Sequence, residues 1–102
     1  MIIVMGHMKF AIGEGAKVAP LLAAHAEAVM QEEGCETYSF AFDAGDPDLV
    51  RIAERWTSAD ALAAHGAAPH QREFGRALRA FTMENIRVDA WNGEFWRTLI
   101  GG

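Results

Sequence analysis

ETYSFAFDAGDPDLVRIAERW, residues 36–56, holds two alternating runs on either side of a turn. In 36–43, Tyr38, Phe40 and Phe42 fall on one face and Thr37, Ser39 and Ala41 on the other, the period-two pattern of a half-buried strand. In 49–56, Val50, Ile52, Glu54 and Trp56 share a face. Between them, Ala44-Gly45-Asp46-Pro47-Asp48 is turn chemistry, so the stretch predicts an antiparallel hairpin.

Upstream, residues 2–10, IIVMGHMKF, form an apolar-rich run that stops at Gly13-Glu14-Gly15, which predicts another strand. Ile2, Val4, Gly6, Met8 and Phe10 lie on one face; Ile3, Met5, His7 and Lys9 lie on the other, apolar in its first half. A strand apolar on both faces expects cover on both sides. From about Ala16 to Glu33 the period becomes helical, with Val18, Leu21, Leu22, His25 and Val29 in one stripe and Gly34 as the closing glycine. Pro20 sits near the first turn, where a missing N–H costs least.

Downstream, Thr57 or Ser58 caps a short helix running to His65, broken by Gly66. Pro69 opens another helix, with an apolar stripe of Phe74, Ala77, Leu78 and Phe81. Residues 82–91 read as a last strand carrying Ile86, Val88 and Ala90 on one face. The tail keeps Phe95, Trp96, Leu99 and Ile100, too apolar to hang free, and is expected to pack, across a partner subunit or elsewhere. The order strand, helix, strand, strand, helices, strand predicts an α+β fold of ferredoxin-like βαββαβ plan. Its four-stranded antiparallel sheet carries helices on one face, in a single domain over 1–102. The two-sided apolar strands then call for a second copy: a homodimer.

The 102 residues bound what else is possible. They suit one domain with a small core. Apolar residues make up 51% and charged residues 23%, an ordinary globular composition. No apolar run approaches the roughly 18 residues of a membrane span, and MIIVMGH lacks the features of a secretion signal, so a cytoplasmic protein is expected. The net charge is −5. Arg72, Arg76 and Arg79 share a helical face, but on an acidic domain they read as a solvated surface, and no nucleic-acid partner is expected. Cys35 is the sole cysteine, which excludes an intrachain disulfide and any all-cysteine metal site.

The stretch from Glu54 to Phe74 also carries a resemblance. Glu54-Arg55-Trp56-Thr57-Ser58, Ala61-Leu62-Ala63-Ala64-His65, Ala68-Pro69-His70 and Phe74 resemble the antibiotic biosynthesis monooxygenase family. Members show Glu-x-Trp, a serine-capped short helix ending in His, then Pro-His opening the next helix. Glu32-Glu33-Gly34-Cys35 with Tyr38 is similar to the family's Glu-x-Gly-Cys-x-x-Tyr junction, and Met83 to Arg87 match its last strand loosely. The resemblance implies a dimeric α+β barrel. It further implies a monooxygenase that attacks a quinol, anthrone or similar phenol with O2 and no cofactor. The same superfold also hosts non-catalytic barrels that bind a small apolar ligand or serve in stress response, and this alternative stays open. A haem-degrading branch of the family uses an Asn, a Trp and a His where this chain has His7, His65 and Gly75; a glycine cannot ligate iron, so haem chemistry is not implied.

Cofactor-free oxygenation needs a base for the phenolic proton, donors for the developing anion and a dry apolar pocket. His65 and His70, flanking the break between two short helices, are the catalytic candidates; as helix-end residues both also have a structural reading. His7, Trp56, Phe74 and Asn85 are the substrate-binding candidates. Each has a plainer reading: an interface or core histidine, a tryptophan locking the corner after its strand, a stripe phenylalanine, an asparagine satisfying a bulge. Glu54 reads either as paired with Arg55 or Arg87 across strands or as a buried proton acceptor, and pairing is the favoured expectation. His65 and His70 are five apart with no carboxylate nearby in the sequence, so no metal site is expected.

Overall fold

The computed structural model describes residues 1–101, and the chain follows the predicted order. Its elements are β1 (Ile2–Phe10), α1 (Glu14–Val29), β2 (Cys35–Asp43), β3 (Asp46–Trp56), α2 (Ala59–Ala67), α3 (Pro69–Leu78) and β4 (Met83–Asn92). The strands form one antiparallel sheet in the order β2-β3-β1-β4. In this register Tyr38, Glu54, Val4 and Ala90 stand in one row, and Phe40, Ile52, Gly6 and Val88 in the next. All of these side chains face the helices. Gly6 allows β4 to come close: a Cβ there would lie 2.4 Å from the Arg87 carbonyl oxygen.

The core sits between the helix layer and this face. Met8, Phe10, Val18, Leu22, Val50, Ile52 and Phe74 form one buried cluster; Ile2, Val4, Val29, Tyr38 and Trp56 form the other. The α1 stripe is buried as its spacing predicts, at Val18, Leu22, His25 and Val29. The helix owes its start to a distant residue. Gly13 offers no side-chain cap, and buried Asp48 accepts hydrogen bonds from Gly13 N (3.1 Å) and Gly15 N (2.9 Å) instead. A carboxylate there satisfies orphan amides and meets the positive end of the helix dipole.

Three boundaries differ from the sequence reading. The regular helix α1 stops at Val29; residues 30–33 follow in tighter turns, with Gln31 N bonded to Ala28 O and Glu32 N to Val29 O. Gly34, at φ 81°, turns the chain into β2, one turn later than a helix cap. The hairpin turn is shorter than expected: Asp43 already pairs with Asp46, and Pro47 and Asp48 lie in an irregularity outside both ladders, where a proline's missing N–H costs nothing. Gly66 does not break α2, which runs to Ala67; the break falls at Ala68, held extended at ψ 139° by the proline after it.

The helices cover β2, β3 and β1 more fully than β4, so Ile86 and Val88 are exposed although they face the helix side. The opposite sheet face is open and mixed, with Met5 and Trp91 exposed among His7, Arg51, Arg55 and Arg87. Beyond β4 the tail does not pack on its own domain: Phe95 is 72% and Trp96 77% exposed. Among the described residues, no helix is long and apolar enough to cross a membrane.

Candidate functional site

A cavity of about 380 Å³ lies between the sheet and helices α2 and α3. Val4, Met8, Phe40, Ile52 and Phe74 give it apolar walls, and it reaches under the edge strand at Ile86, Val88 and Ala90. Its polar groups are few: Tyr38, Glu54, His65 and Gln71, with Asp89 by β4. A mostly apolar pocket with a few convergent polar groups is the usual form of a small-molecule site, and this volume suits a small aromatic molecule.

His65 is the histidine that the cavity holds. It sits in the last turn of α2, whose start is fixed by Ser58 Oγ accepting from Ala61 N at 3.1 Å. Its Nδ1 lies 3.0 Å from Glu32 Oε2, and the same oxygen lies 2.7 Å from His70 Nε2. The three side chains grade from inside to outside, at 6%, 16% and 40% exposure for His65, Glu32 and His70. A carboxylate accepts only, so a neutral His65 donates through Nδ1–H and carries its lone pair on Nε2, the nitrogen left for a ligand in the cavity. Burial pushes the Glu32 carboxyl upward, but the hydrogen bonds and charges of His65 and His70 together outweigh it and hold it below the usual carboxylate range. Glu32 thus stays ionised and keeps both imidazoles oriented.

Glu54 is the second titratable group in the wall. It does not pair with arginine, as the sequence suggested: Arg55 and Arg87 occupy alternate positions that face the open side of the sheet, bonded to Thr37 and Asp89. Buried Glu54 instead accepts from Trp56 Nε1 at 2.9 Å. Burial pushes its carboxyl above the ordinary range, although the Trp56 bond and the nearby His65 pull the other way. Burial also raises the Tyr38 phenol, which remains a neutral donor.

The remaining candidates separate. Phe74 lines the cavity and stacks on His25 with ring centroids 3.7 Å apart. His25 is buried, its affinity for a proton lowered by burial first, and its Nε2 lies 2.7 Å from Gln71 Oε1; it packs and holds a cavity-lining glutamine. Trp56 is fully buried outside the cavity, with its ring 4.8 Å from that of His65, so it supports His65 and Glu54 from behind. His7 and Asn85 bond to each other at 2.9 Å across β1 and β4 on the open face, away from His65. Glu32, Tyr38 and Gln71 were not among the candidates, and Glu54, weighed as a buried proton acceptor, was expected to pair instead. Glu54 had a signal, since its alternation places it on the buried face. Glu32, the carboxylate that the sequence reading lacked beside the two histidines, comes from 33 residues upstream of His65, beyond any local pattern.

With this geometry in hand, comparison with known proteins settles the family. The family model for antibiotic biosynthesis monooxygenase matches residues 1–77, three quarters of the chain. The chain belongs to that family. β4 and the tail lie outside the matched stretch. A candidate antibiotic biosynthesis monooxygenase from Deinococcus radiodurans superposes with a TM-score of 0.91 at 26% identity, covering 99% of this chain and 100% of the other. The protein PA3566 from Pseudomonas aeruginosa gives 0.81 at 23% identity, with 92% and 94% covered. A mutant of SnoaB, a cofactor-independent oxygenase from Streptomyces nogalater, gives 0.79 at 17% identity over 96% and 95% of the two chains. At that identity the last two speak for the fold alone. No curated protein sequence matches the chain.

Proposed function

We propose that this family member is a monooxygenase that oxidises a quinol, anthrone or related phenol with O2 and draws on no cofactor. The single observation that carries the reading is the apolar cavity whose one histidine has Nδ1 tied to a carboxylate and Nε2 left free. In this reading His65 Nε2 takes the phenolic proton. The electron-rich anion then passes an electron to O2, and the radical pair recombines to a C–O bond between largely apolar walls. The balance closes on the substrate itself: a hydroquinone plus O2 gives a hydroxyquinone plus water, so the ring supplies both electrons. Glu54, whose carboxyl burial keeps protonated more readily than an ordinary one, supplies the proton for the oxygen that leaves as water. Tyr38 or Gln71 steadies the phenolate oxygen by hydrogen bonding. His70 orients His65 through Glu32 and does not touch the substrate. His7 and Asn85, on the other face, take no part unless a second subunit brings them to its own site.

We further propose a homodimer in the cytoplasm. Its support is the exposed apolar surface of Met5 and Trp91 on the open face and of Phe95, Trp96, Leu99 and Ile100 in the tail, more than a monomer ordinarily leaves in water. Oxygen uptake by metal-free protein over a panel of hydroquinones and anthrones tests the activity. Saturable binding of such a compound without any oxygen uptake would favour the non-catalytic ligand-binding barrel instead.

A further inference from the structure

We propose that Glu32, His65 and His70 form a binding site for a divalent transition-metal ion of the zinc type, set behind the cavity wall. One donor atom from each residue lies within 4.8 Å of the others. The Glu32 oxygen is 3.0 Å from His65 Nδ1 and 2.7 Å from His70 Nε2. Donors at about 2.1 Å from a tetrahedral zinc stand about 3.4 Å from one another. The two oxygen–nitrogen gaps widen by roughly 0.4 and 0.7 Å, and the two imidazole nitrogens, within 4.8 Å, settle to about the same spacing, as the ion replaces the protons now shared between nitrogen and oxygen.

The placement is that of a built site. The donors come from three parts of the chain: the tight turns after α1, the last turn of α2 and the first turn of α3. The helix break at Ala68-Pro69 fixes the two histidines relative to each other. Half-exposed His70 leaves an entry path and room for water at a fourth position. Two imidazoles and a carboxylate suit zinc, cobalt or nickel and are a poor set for magnesium or calcium, which take oxygen.

Neither Glu32 nor His70 lines the cavity, so the ion would reach the substrate space only through the His65 ring. That has a consequence, which rests on the proposed role of His65 as base. A metal on Nδ1 leaves the ring proton on Nε2, so the loaded protein offers the cavity a donor where the free protein offers an acceptor. Occupancy of the site would switch the base off.

The test is calorimetric titration of the intact, metal-stripped protein with Zn2+, paired with the visible spectrum of the Co2+ form. One saturable equivalent is expected, with cobalt bands of low coordination number. Glu32→Gln and His70→Ala should each weaken binding by at least roughly a hundredfold, since losing even an outer-shell partner costs about 10–100-fold. His7→Ala, on the opposite face, should leave it unchanged. Absence of saturable binding, or binding indifferent to both Glu32→Gln and His70→Ala, would overturn the site. Turnover followed in the same titration should fall in step with occupancy. Binding without that fall would keep the metal site and remove His65 as the base; turnover without binding would do the reverse.

Discussion

Glu32→Gln is the substitution that probes the site most economically, because it keeps the side chain's shape and removes only its charge. In the wild type one carboxylate accepts from two imidazoles, at 3.0 and 2.7 Å, with 16% of the side chain exposed. A hydrogen bond to a charged group is worth about 1.5–3 kcal/mol against about 1 kcal/mol for a neutral one. Glutamine still has an oxygen to offer, so the loss at neutral pH should be about 1.5 kcal/mol, or roughly 6–12 °C in Tm for a domain of this size. The sign with pH follows from Glu32's lowered carboxyl pKa. A depressed folded-state pKa gives stability that is present above the ordinary carboxylate range and lost as pH falls through the folded value. The gap between variant and wild type should therefore be full at pH 7 and shrink towards pH 3. On turnover, losing the carboxylate that holds Nδ1–H should cost tenfold to a hundredfold, at about 1.4 kcal/mol per decade. Calorimetric melting at several pH values and oxygen uptake with an accepted hydroquinone, on the same preparation, read both effects. A variant with unchanged Tm and unchanged rate at pH 7 would refute the carboxylate's role as anchor.

Three further outcomes follow from other residues. Glu54→Gln should stabilise the protein by on the order of 1 kcal/mol at pH 8. Burial raises the native carboxyl, a state whose stability is fullest below the ordinary carboxylate range and declines as pH rises, so the gain in Tm should vanish near pH 4. Asp48→Ala, which strips the start of α1 of the acceptor for Gly13 N and Gly15 N, should cost about 1–2 kcal/mol, seen in a denaturant melt. Light scattering should give a dimer for the whole chain, and truncation after Asn92 should weaken it; a monodisperse monomer at micromolar concentration would end the dimer proposal.

The fold was legible because its signals are local and repeated. Tyr38, Phe40 and Phe42 alternate, Val18, Leu22, His25 and Val29 keep helical spacing, and each set is buried or half-buried as its period requires, apart from Phe42 near the strand end. Boundaries slipped where a tertiary contact overrode a local signal: Pro47 and Asp48 read as turn, yet Asp48 is spent on capping α1 and the strand begins before it. The site was legible by half. The Pro69 break marked His65 and His70 as neighbours, but their shared carboxylate lies two strands upstream, and the junction motif that holds Glu32 does not by itself place it beside the histidines. His7 stood out among apolar neighbours and Asn85 as a poor strand former; the register brings the two together, but on the sheet face opposite His65.

The central claim is that the cavity lets His65 deprotonate a phenol so that O2 can be added without a cofactor. Mass spectrometry of the product formed under isotopically labelled O2, by metal-free wild type and by His65→Ala, tests it most directly. One labelled oxygen atom in the wild-type product is expected, together with a rate lower by roughly a hundredfold or more in the variant. A product free of label, or equal labelling and equal rate in both proteins, would contradict it.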